Sequence, residues 1–286
     1  MKNIILYSSQ LASFIGKNPH LSVAKTFNKL FDTYFKEYQK EIVRKGVQRV
    51  IKPDKFILDG FCKKHHINLR KDLDKIVRSN ISTKELNLEK KRIIEDLKNN
   101  EEIKKDEREE IVKVIEGYMN KGFGSRREGN AIDYYERKIE EDLLRKIEPK
   151  RKKVLEREGF SLTIISRLDA MTLSGEVLEF KNRIYKFFEE IREYEWIQVQ
   201  TYLEVYNFEE AKLIEFLNKD EPEIKVNEIS RDKEYWKKIL IELNLYFRTL
   251  IKMGTSDLSK YLLLSEKNQD EYIKNQVRKT YVELSK

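Results

Sequence analysis

The sequence predicts an α/β protein in which a mixed central sheet of about five strands is flanked by helices. Residues 152–230 contain short segments rich in β-branched and apolar residues, separated by turn signals, as expected of strands. The regions on either side of them place apolar residues at helical spacing. With 286 residues the chain can bury one large core, so we predict a single domain with helical additions.

The N-terminal part, residues 1–68, is predicted to consist of helices around a loop. Within it, residues 21–42 carry apolar side chains at the spacing of one buried helical face. Residues 69–119 follow as a helical and intensely charged insertion. It contains 13 basic and 13 acidic side chains between Arg70 and Glu116, so no net field arises there. We interpret it as an exposed arm held by i,i+4 ion pairs.

Helix boundaries are indicated by capping and breaking residues. Ser82-Thr83-Lys84-Glu85 resembles a capping box that opens a helix inside the charged insertion. A further helix over residues 131–147 is predicted to end near Pro149. The C-terminal part, residues 231–286, repeats apolar residues at i, i+3, i+4 and i+7 and is therefore predicted to be helical.

The central part, residues 120–230, contains the predicted strands. Residues 152–183 predict a three-stranded meander, with turns at residues 157–159 and at Ser174-Gly175. A helix over residues 189–206 follows. Two more strands are predicted at residues 211–218 and 223–229, around Pro222.

The charge balance favours a polyanionic partner. The net charge is +8 and the isoelectric point is near 9.1. Lysine and arginine contacts to phosphates release condensed counterions, which favours binding to a polyanion. The single cysteine, Cys62, excludes a disulfide within the chain and fits a reducing compartment. We see no signal peptide and no stretch suited to a bilayer, so we expect an intracellular protein without membrane association.

One group of residues suggests chemistry. Asp169 lies near the end of a predicted strand, and Glu179 and Lys181 lie on the next one. Residues two apart in a strand share a face, and a hairpin would bring Asp169 beside them. Two carboxylates and the backbone carbonyl of Phe180 are suitable oxygen ligands for Mg²⁺, with Mn²⁺ as a substitute. Lys181 could then orient a metal-bound water and stabilise charge on a phosphate.

The same tripeptide pattern also arises by chance. Glu102-Ile103-Lys104 and Glu223-Ile224-Lys225 repeat the spacing of a glutamate and a lysine in a chain rich in both residues. What distinguishes Glu179 is its apolar strand context and the aspartate on the preceding strand. From these residues alone, a nuclease centre and a solvated charge pattern both remain open.

Three further segments have recognisable spacing. Gly124–Ala131 reads G-x-x-x-E-x-x-A, with Glu128 as its acidic residue. Gln198-Val199-Gln200-Thr201-Tyr202 has Q-x-x-x-Y spacing on a predicted helix, which places Gln198 and Tyr202 on one face. Near the N-terminus, Ser9 and Gly16 form the ends of an S-x-x-x-x-x-x-G segment.

With the hairpin, these segments resemble, in order, the motifs of the PD-(D/E)XK nuclease superfamily. The resemblance is to its lambda-exonuclease and YqaJ-type viral recombinase family and covers scattered motifs up to Tyr202. It implies a restriction-endonuclease-like core and a helix start at the G-x-x-x-E-x-x-A segment. It also implies that Glu128 faces the metal, and that Gln198, or alternatively Gln200, belongs to the active site.

The resemblance also implies contacts to DNA. Ser9 would hold the 5′-phosphate, with Lys2 standing in for the arginine that the family usually has seven residues earlier. We predict that Arg126, Arg127 and Arg183, near the catalytic motifs, hold other DNA phosphates. The run Lys150–Lys153 either joins them or is a solvated charge run.

We therefore expect a Mg²⁺-dependent deoxyribonuclease. The hypothesis is a 5′-to-3′ exonuclease on linear double-stranded DNA, used in viral or phage-type recombination or replication. A single-strand annealing protein as partner and a homo-oligomer are further implications of the resemblance. Alternatives are a structure-specific endonuclease on the same core, a DNA-binding recombination factor without activity, and a charged helical scaffold protein.

Overall fold

A computed structural model describes residues 1–36, 54–78, 83–100, 102–217 and 221–285, with three isolated positions between these ranges. In chain order its elements are β1 (Lys2–Tyr7), α1 (Ser8–Phe14), α2 (Val23–Tyr34), α3 (Asp54–Lys64), α4 (Leu69–Arg78), α5 (Thr83–Asn99), α6 (Lys105–Ile139), β2 (Leu143–Leu144), β3 (Lys150–Arg157), β4 (Phe160–Ser166), β5 (Ala170–Thr172), β6 (Val177–Arg183), α7 (Glu193–Tyr206), β7 (Glu210–Leu217), β8 (Glu223–Ser230), α8 (Lys233–Gly254), α9 (Ser259–Leu262) and α10 (Glu266–Leu284).

The strands form two sheets. The larger is a mixed five-stranded sheet with the order β2-β5-β6-β7-β8, in which β6 and β7 run parallel and α7 connects them. The smaller has the order β1-β4-β3, and β1 runs parallel to β4. The predicted α/β class, with a mixed five-stranded sheet flanked by helices, is confirmed. This architecture is consistent with a restriction-endonuclease-like core.

The predicted three-stranded meander over residues 152–183 is wrong. β3 and β4 pair antiparallel, but β6 belongs to the other sheet and pairs with the short strand β5. Both edges of β4 are already occupied, by β1 on one side and β3 on the other. The chain must therefore leave β4 after Ser166 and start the second sheet at Ala170, with Asp169 in the connection.

β1 was not predicted, since residues 1–68 were expected to be helical outside their loop. The strand buries Ile4 and Leu6 completely, in the alternation typical of a strand with one buried face. Its partner β4 lies about 160 residues away in the chain, from Lys2 paired with Phe160 onwards. A six-residue alternation with so distant a partner carries little local signal.

α6 is a single helix of 35 residues, which corrects two helix boundaries. The predicted helix start at Gly124 lies inside it, and the helix expected to reach residue 147 ends at Ile139. Glu140 then adopts a left-handed conformation, with φ of 54°. Glycine costs about 1 kcal/mol in a helix interior, but packing overrides that preference here. At Gly122, for example, an added Cβ would lie 2.5 Å from a methyl group of Val77 on α4.

The charged insertion has a buried cluster of its own and is more than a solvated arm. Apolar side chains from α3, α4, α5 and α6 form it, among them Leu58, Leu73, Leu86 and Ile115. The suggested capping residue Ser82 lies outside the described residues. Because α6 continues from this cluster to the five-stranded sheet, where Ala131 and Tyr135 are buried, one helix connects the two apolar clusters.

The largest cluster joins the smaller sheet, one face of the larger sheet that includes Val177 and Leu213, and the helices α1, α2, α7, α8, α9 and α10. α7 is central to it and buries Ile197, Val199 and Leu203. Among the helices that the structure describes, none combines the length and apolar character that a bilayer span requires.

Candidate active site

The β5–β6 hairpin brings Asp169 beside Glu179 and Lys181. Asp169 comes directly before β5, and β5 pairs antiparallel with β6 through Ala170 and Leu178. The Asp169 carboxylate accepts a hydrogen bond from the backbone N–H of Phe180, at 2.9 Å. Its position is therefore fixed against the residue that lies between the glutamate and the lysine.

Glu179, Lys181 and Gln198 form one hydrogen-bonded group. Glu179 is only 2% exposed, and its Oε1 accepts hydrogen bonds from Lys181 Nζ and, at 2.8 Å, from Gln198 Nε2. Gln198 Oε1 accepts a second hydrogen bond from Lys181 Nζ, at 3.2 Å. Gln198 Nε2 also lies 2.5 Å from the buried hydroxyl of Tyr202. The Q-x-x-x-Y segment on α7 thus holds the pair on β6 from the side.

Burial and neighbouring charges shift the pKa values of this group. Burial raises the pKa of Asp169 well above its ordinary value, and the nearby Glu179 carboxylate raises it further. Burial alone would lower the pKa of Lys181, but the charges of Glu179 and Asp169 outweigh it, so that pKa is raised. Carboxylates crowded in this way are stabilised by a cation, and Lys181 supplies one positive charge.

Glu128 on α6 lies within the field of the same group. Burial raises the pKa of the half-buried Glu128 carboxyl, and repulsion from Glu179 raises it further. Although Glu128 lies in mid-helix, the charges of Glu179 and Lys181 on the hairpin therefore act on it. The side chains of Arg126 and Arg127, predicted to hold DNA, lie outside the described residues.

Gln198 and Gln200 point in different directions. Two residues apart on a helix differ by about 200° in direction, so both cannot face one site. Gln200 is buried on the other side, where its Nε2 donates to the carbonyl of Ser230 and its Oε1 accepts from the N–H of Asp232, both at 2.8 Å. It joins β8 to α8 and does not touch the hairpin.

The two glutamines should separate in an alanine experiment. Gln198→Ala removes a positioning contact to Glu179 and Lys181, so we expect cleavage to fall about 10- to 100-fold with unchanged thermal stability. Gln200→Ala leaves two backbone groups unpaired and should lower the free energy of unfolding by about 1 to 3 kcal/mol, with activity kept at low temperature. Denaturant titration and cleavage rates check both. A reversed pattern would contradict the placement.

Arg183, predicted to hold DNA, lies buried in an ion-pair network. It is 8% exposed, and its guanidinium donates to both carboxylate oxygens of Glu195, at 2.7 and 2.8 Å, and to Glu215 at 2.6 Å. It also lies 4.2 Å from the ring centroid of Phe188. Two buried carboxylates already use its donors, so Arg183 ties α7 and β7 to β6.

Lys2 and Ser9 lie at opposite ends of β1. A strand of six residues extends roughly 17 Å, beyond the reach of a lysine side chain. The ammonium of Lys2 lies 5.5 Å from the ring centroid of Phe35 instead. The structure does not bring Lys2 and Ser9 together, and a contact of Lys2 with the 5′-phosphate stays a prediction. Ser9 is exposed at the end of β1 that lies where β4 leads to Asp169.

The donor set fits a hard divalent cation. Within the described part of the chain, no three His, Cys, Asp or Glu side chains form a ready-made metal cluster. Mg²⁺, however, needs only one or two carboxylates and keeps several waters. Asp169, Glu179 and the Phe180 carbonyl lie together, and the buried Oε2 of Glu179 has no hydrogen-bond partner. A cation would satisfy that oxygen and relieve the repulsion from Glu179, which adds to burial in raising the pKa of Asp169.

Comparisons with known proteins find similarity in structure only. No protein-family model matches the sequence, and no curated protein matches it. An alkaline exonuclease from Laribacter hongkongensis is similar in structure, with a TM-score of 0.36, 14% identity, and coverage of 55% of this chain and 73% of that one. A phage-related exonuclease from Haemophilus somnus has a TM-score of 0.36 and 18% identity, with coverage of 46% and 71%. At these values the similarities transfer no activity.

The ion-pair network around Arg183 could have been found in the sequence. Glu215 stands between Ile214 and Phe216 in an apolar strand segment, and it is 1% exposed. A carboxylate in such a position signals a buried pair, because ionised groups are rarely buried without a partner. The pattern does not say which cation is the partner.

Proposed function

We propose that this chain is a metal-dependent deoxyribonuclease that hydrolyses phosphodiester bonds. One observation carries the proposal. The buried Glu179 carboxylate is held by Lys181 and Gln198 beside Asp169, at the end of a hairpin and within the field of Glu128. Clustered carboxylates with one lysine suit a reaction that needs a metal ion and a positively charged hydrogen-bond donor at a phosphate.

Different side chains would bind the metal, stabilise the phosphate and position these groups. Asp169, Glu179 and the Phe180 carbonyl would hold Mg²⁺, with Glu128 as a further acidic group. When bound, the metal lowers the pKa of a coordinated water and neutralises phosphate charge. Lys181 stays protonated because its pKa is raised, so it can donate hydrogen bonds to a phosphate oxygen as charge develops there. Gln198 hydrogen-bonds both Lys181 and Glu179 and so keeps the two side chains in position.

We further propose that the enzyme is an exonuclease acting from the 5′ end of linear double-stranded DNA. The exposed Ser9 at the catalytic end of β1 supports this, since its hydroxyl could hold a terminal phosphate. The net charge of +8 is in keeping with a DNA substrate. A role in viral or phage-type recombination or replication, with a single-strand annealing protein as partner, belongs to the same proposal.

The test is degradation of linear duplex DNA labelled at the 5′ or the 3′ end, with covalently closed circular DNA as the comparison. The expected result is Mg²⁺-dependent shortening of the linear substrate, early release of the 5′ label, intact circles and no reaction with EDTA. Cleavage of circles would support the endonuclease instead. Binding of DNA without cleavage in Mg²⁺ or Mn²⁺ would overturn the catalytic proposal.

A further inference from the structure

Residues 145–149 run alongside the segment that carries Asp169. The evidence is in the strand register, because Leu144 pairs with Met171 at one end and Lys150 pairs with Ser166 at the other. Between these two antiparallel pairs, one chain segment passes directly beside the other. Charged side chains on residues 145–151 are therefore close to the end of β4 that leads to Asp169.

The hydroxyl of Tyr206 fixes the two segments together. It is a buried group at the C-terminal end of α7, the helix that also carries Gln198. It donates to the carbonyl oxygens of Glu148 and Ser166, at 3.0 and 3.1 Å, and accepts a hydrogen bond from the N–H of Lys150, at 3.3 Å. One side chain thus holds both segments in a defined relation to the site.

Four cations on these segments are exposed, namely Lys146, Lys150, Arg151 and Arg167, which we call the basic patch. Among the described residues no carboxylate pairs with any of them. Their neighbours in the sequence are different: Lys152 is paired with Glu204 at 2.5 Å, Lys153 with Glu156 at 2.7 Å, and Arg145 with Asp133 at 2.6 Å and with Glu136. The structure therefore divides the run of residues 150–153 into two free and two neutralised cations.

The patch is organised around one aromatic residue. The ammonium of Lys150 lies 5.1 Å from the ring centroid of Tyr206, and the charge of Arg167 also acts on the Tyr206 hydroxyl. Arg167 is two residues before Asp169, so their Cα atoms are at most about 7 Å apart. Of the four cations, Lys150 and Arg167 therefore lie near the segment that carries Asp169.

We infer that the basic patch binds the phosphate backbone of DNA next to the bond that is cut. This inference rests on the proposed nuclease function, because DNA is taken as the partner. Exposed and unpaired lysines and arginines gain free energy from phosphates through counterion release. Contacts of this kind position a duplex without reading its sequence, as an enzyme that degrades any linear DNA requires.

The test is binding of a short fluorescent duplex, measured by anisotropy without divalent cations so that nothing is cleaved. The patch variant carries Lys150→Ala, Arg151→Ala and Arg167→Ala. The control variant removes the same charge from exposed lysines on the C-terminal helices, through Lys238→Ala, Lys260→Ala and Lys279→Ala. Circular dichroism and thermal melting verify that both variants are folded.

We expect the patch variant to bind on the order of 100-fold more weakly at about 0.1 M salt. The slope of its plot of log K against log salt should be less steep than that of the wild type by roughly 2 to 3. Each lost phosphate contact reduces the steepness of that slope by about 0.9. The control variant should keep the slope of the wild type. Arg167→Lys should restore most of the binding that Arg167→Ala loses, because the charge is kept.

Other outcomes separate this inference from the nuclease proposal. Equal losses in the patch and control variants would overturn the inference, since overall charge would then explain binding. A folded patch variant with the wild-type slope would also overturn it, even if the wild type cleaves DNA. If the patch variant alone loses binding while the wild type cleaves nothing, the inference stands and the nuclease proposal fails. In an active enzyme, the patch variant should raise KM and leave kcat nearly unchanged.

Discussion

A Lys181→Ala variant should cleave DNA about 100- to 1,000-fold more slowly than the wild type, as expected when a preorganised charge donor is removed. Lys181 is the cation in contact with the Glu179 carboxylate, and its raised pKa keeps it charged at neutral pH. Its loss removes a donor whose hydrogen bond to phosphate strengthens as charge develops. The rate on linear duplex DNA in Mg²⁺, under single-turnover conditions, measures the effect directly.

Lys212 offers a matched control for that experiment. It lies on β7, the strand next to β6, and pairs with the carboxylate of Glu176 at 2.7 Å, as Lys181 pairs with Glu179. Lys212→Ala should therefore remove a similar ion pair and change the cleavage rate less than threefold. DNA binding and thermal melting of both variants separate catalysis from folding. A folded Lys181→Ala variant with the wild-type rate would exclude the lysine from the reaction.

An Arg183→Met variant should lose about 3 to 5 kcal/mol in the free energy of unfolding, measured by denaturant titration at neutral pH. The reason is that Glu195 and Glu215, 1% exposed each, would remain buried without their cation. Methionine keeps much of the apolar stem of the arginine, so the change is mainly one of charge. Loss of DNA binding without loss of stability would instead return Arg183 to the DNA-contacting residues.

Lys237→Met is the control for this prediction. It breaks a pair with Glu234 in which both side chains are about two thirds or more exposed, at 67% and 76%. Exposed pairs contribute about 0 to 1 kcal/mol, so stability should change little. Equal effects of the two substitutions would mean that burial does not decide the strength of these pairs.

The effect of Arg183→Met should depend on pH. Burial alone would raise the pKa of Glu215, but the N–H of Phe188 and the guanidinium of Arg183 outweigh it and hold the pKa below the ordinary value of 4.5. This stabilisation is complete above the ordinary pKa and is lost as pH falls through the folded-state pKa. The stability difference between wild type and variant should therefore be largest at neutral pH and shrink below about pH 4.5. A difference that grew in acid would contradict the assignment.

Local pattern by itself determined a large part of the fold. The strands after Phe160, the turn at Gly175 and the helix α7 follow from the alternation of apolar residues, from turn chemistry and from helical spacing. The grouping of Asp169 with Glu179 and Lys181 was predictable for the same reason. A strand period of two places the last two on one face, and a short hairpin brings the aspartate to them.

Tertiary structure decided everything that depends on a distant partner. β1 is a strand because it pairs with the distant strand β4. Both edges of β4 are occupied, so the chain starts a second sheet after it. The Q-x-x-x-Y spacing favours Gln198 over Gln200 in the sequence, but only the packing of α7 decides which one meets β6. In the sequence Arg183 looks like a DNA contact, because it is a cation close to the catalytic motif. In the fold its donors are used by two buried glutamates. Short-range patterns specify local conformation, whereas burial and pairing are set by residues far apart in the chain, and these contacts decide which charged groups remain free to act.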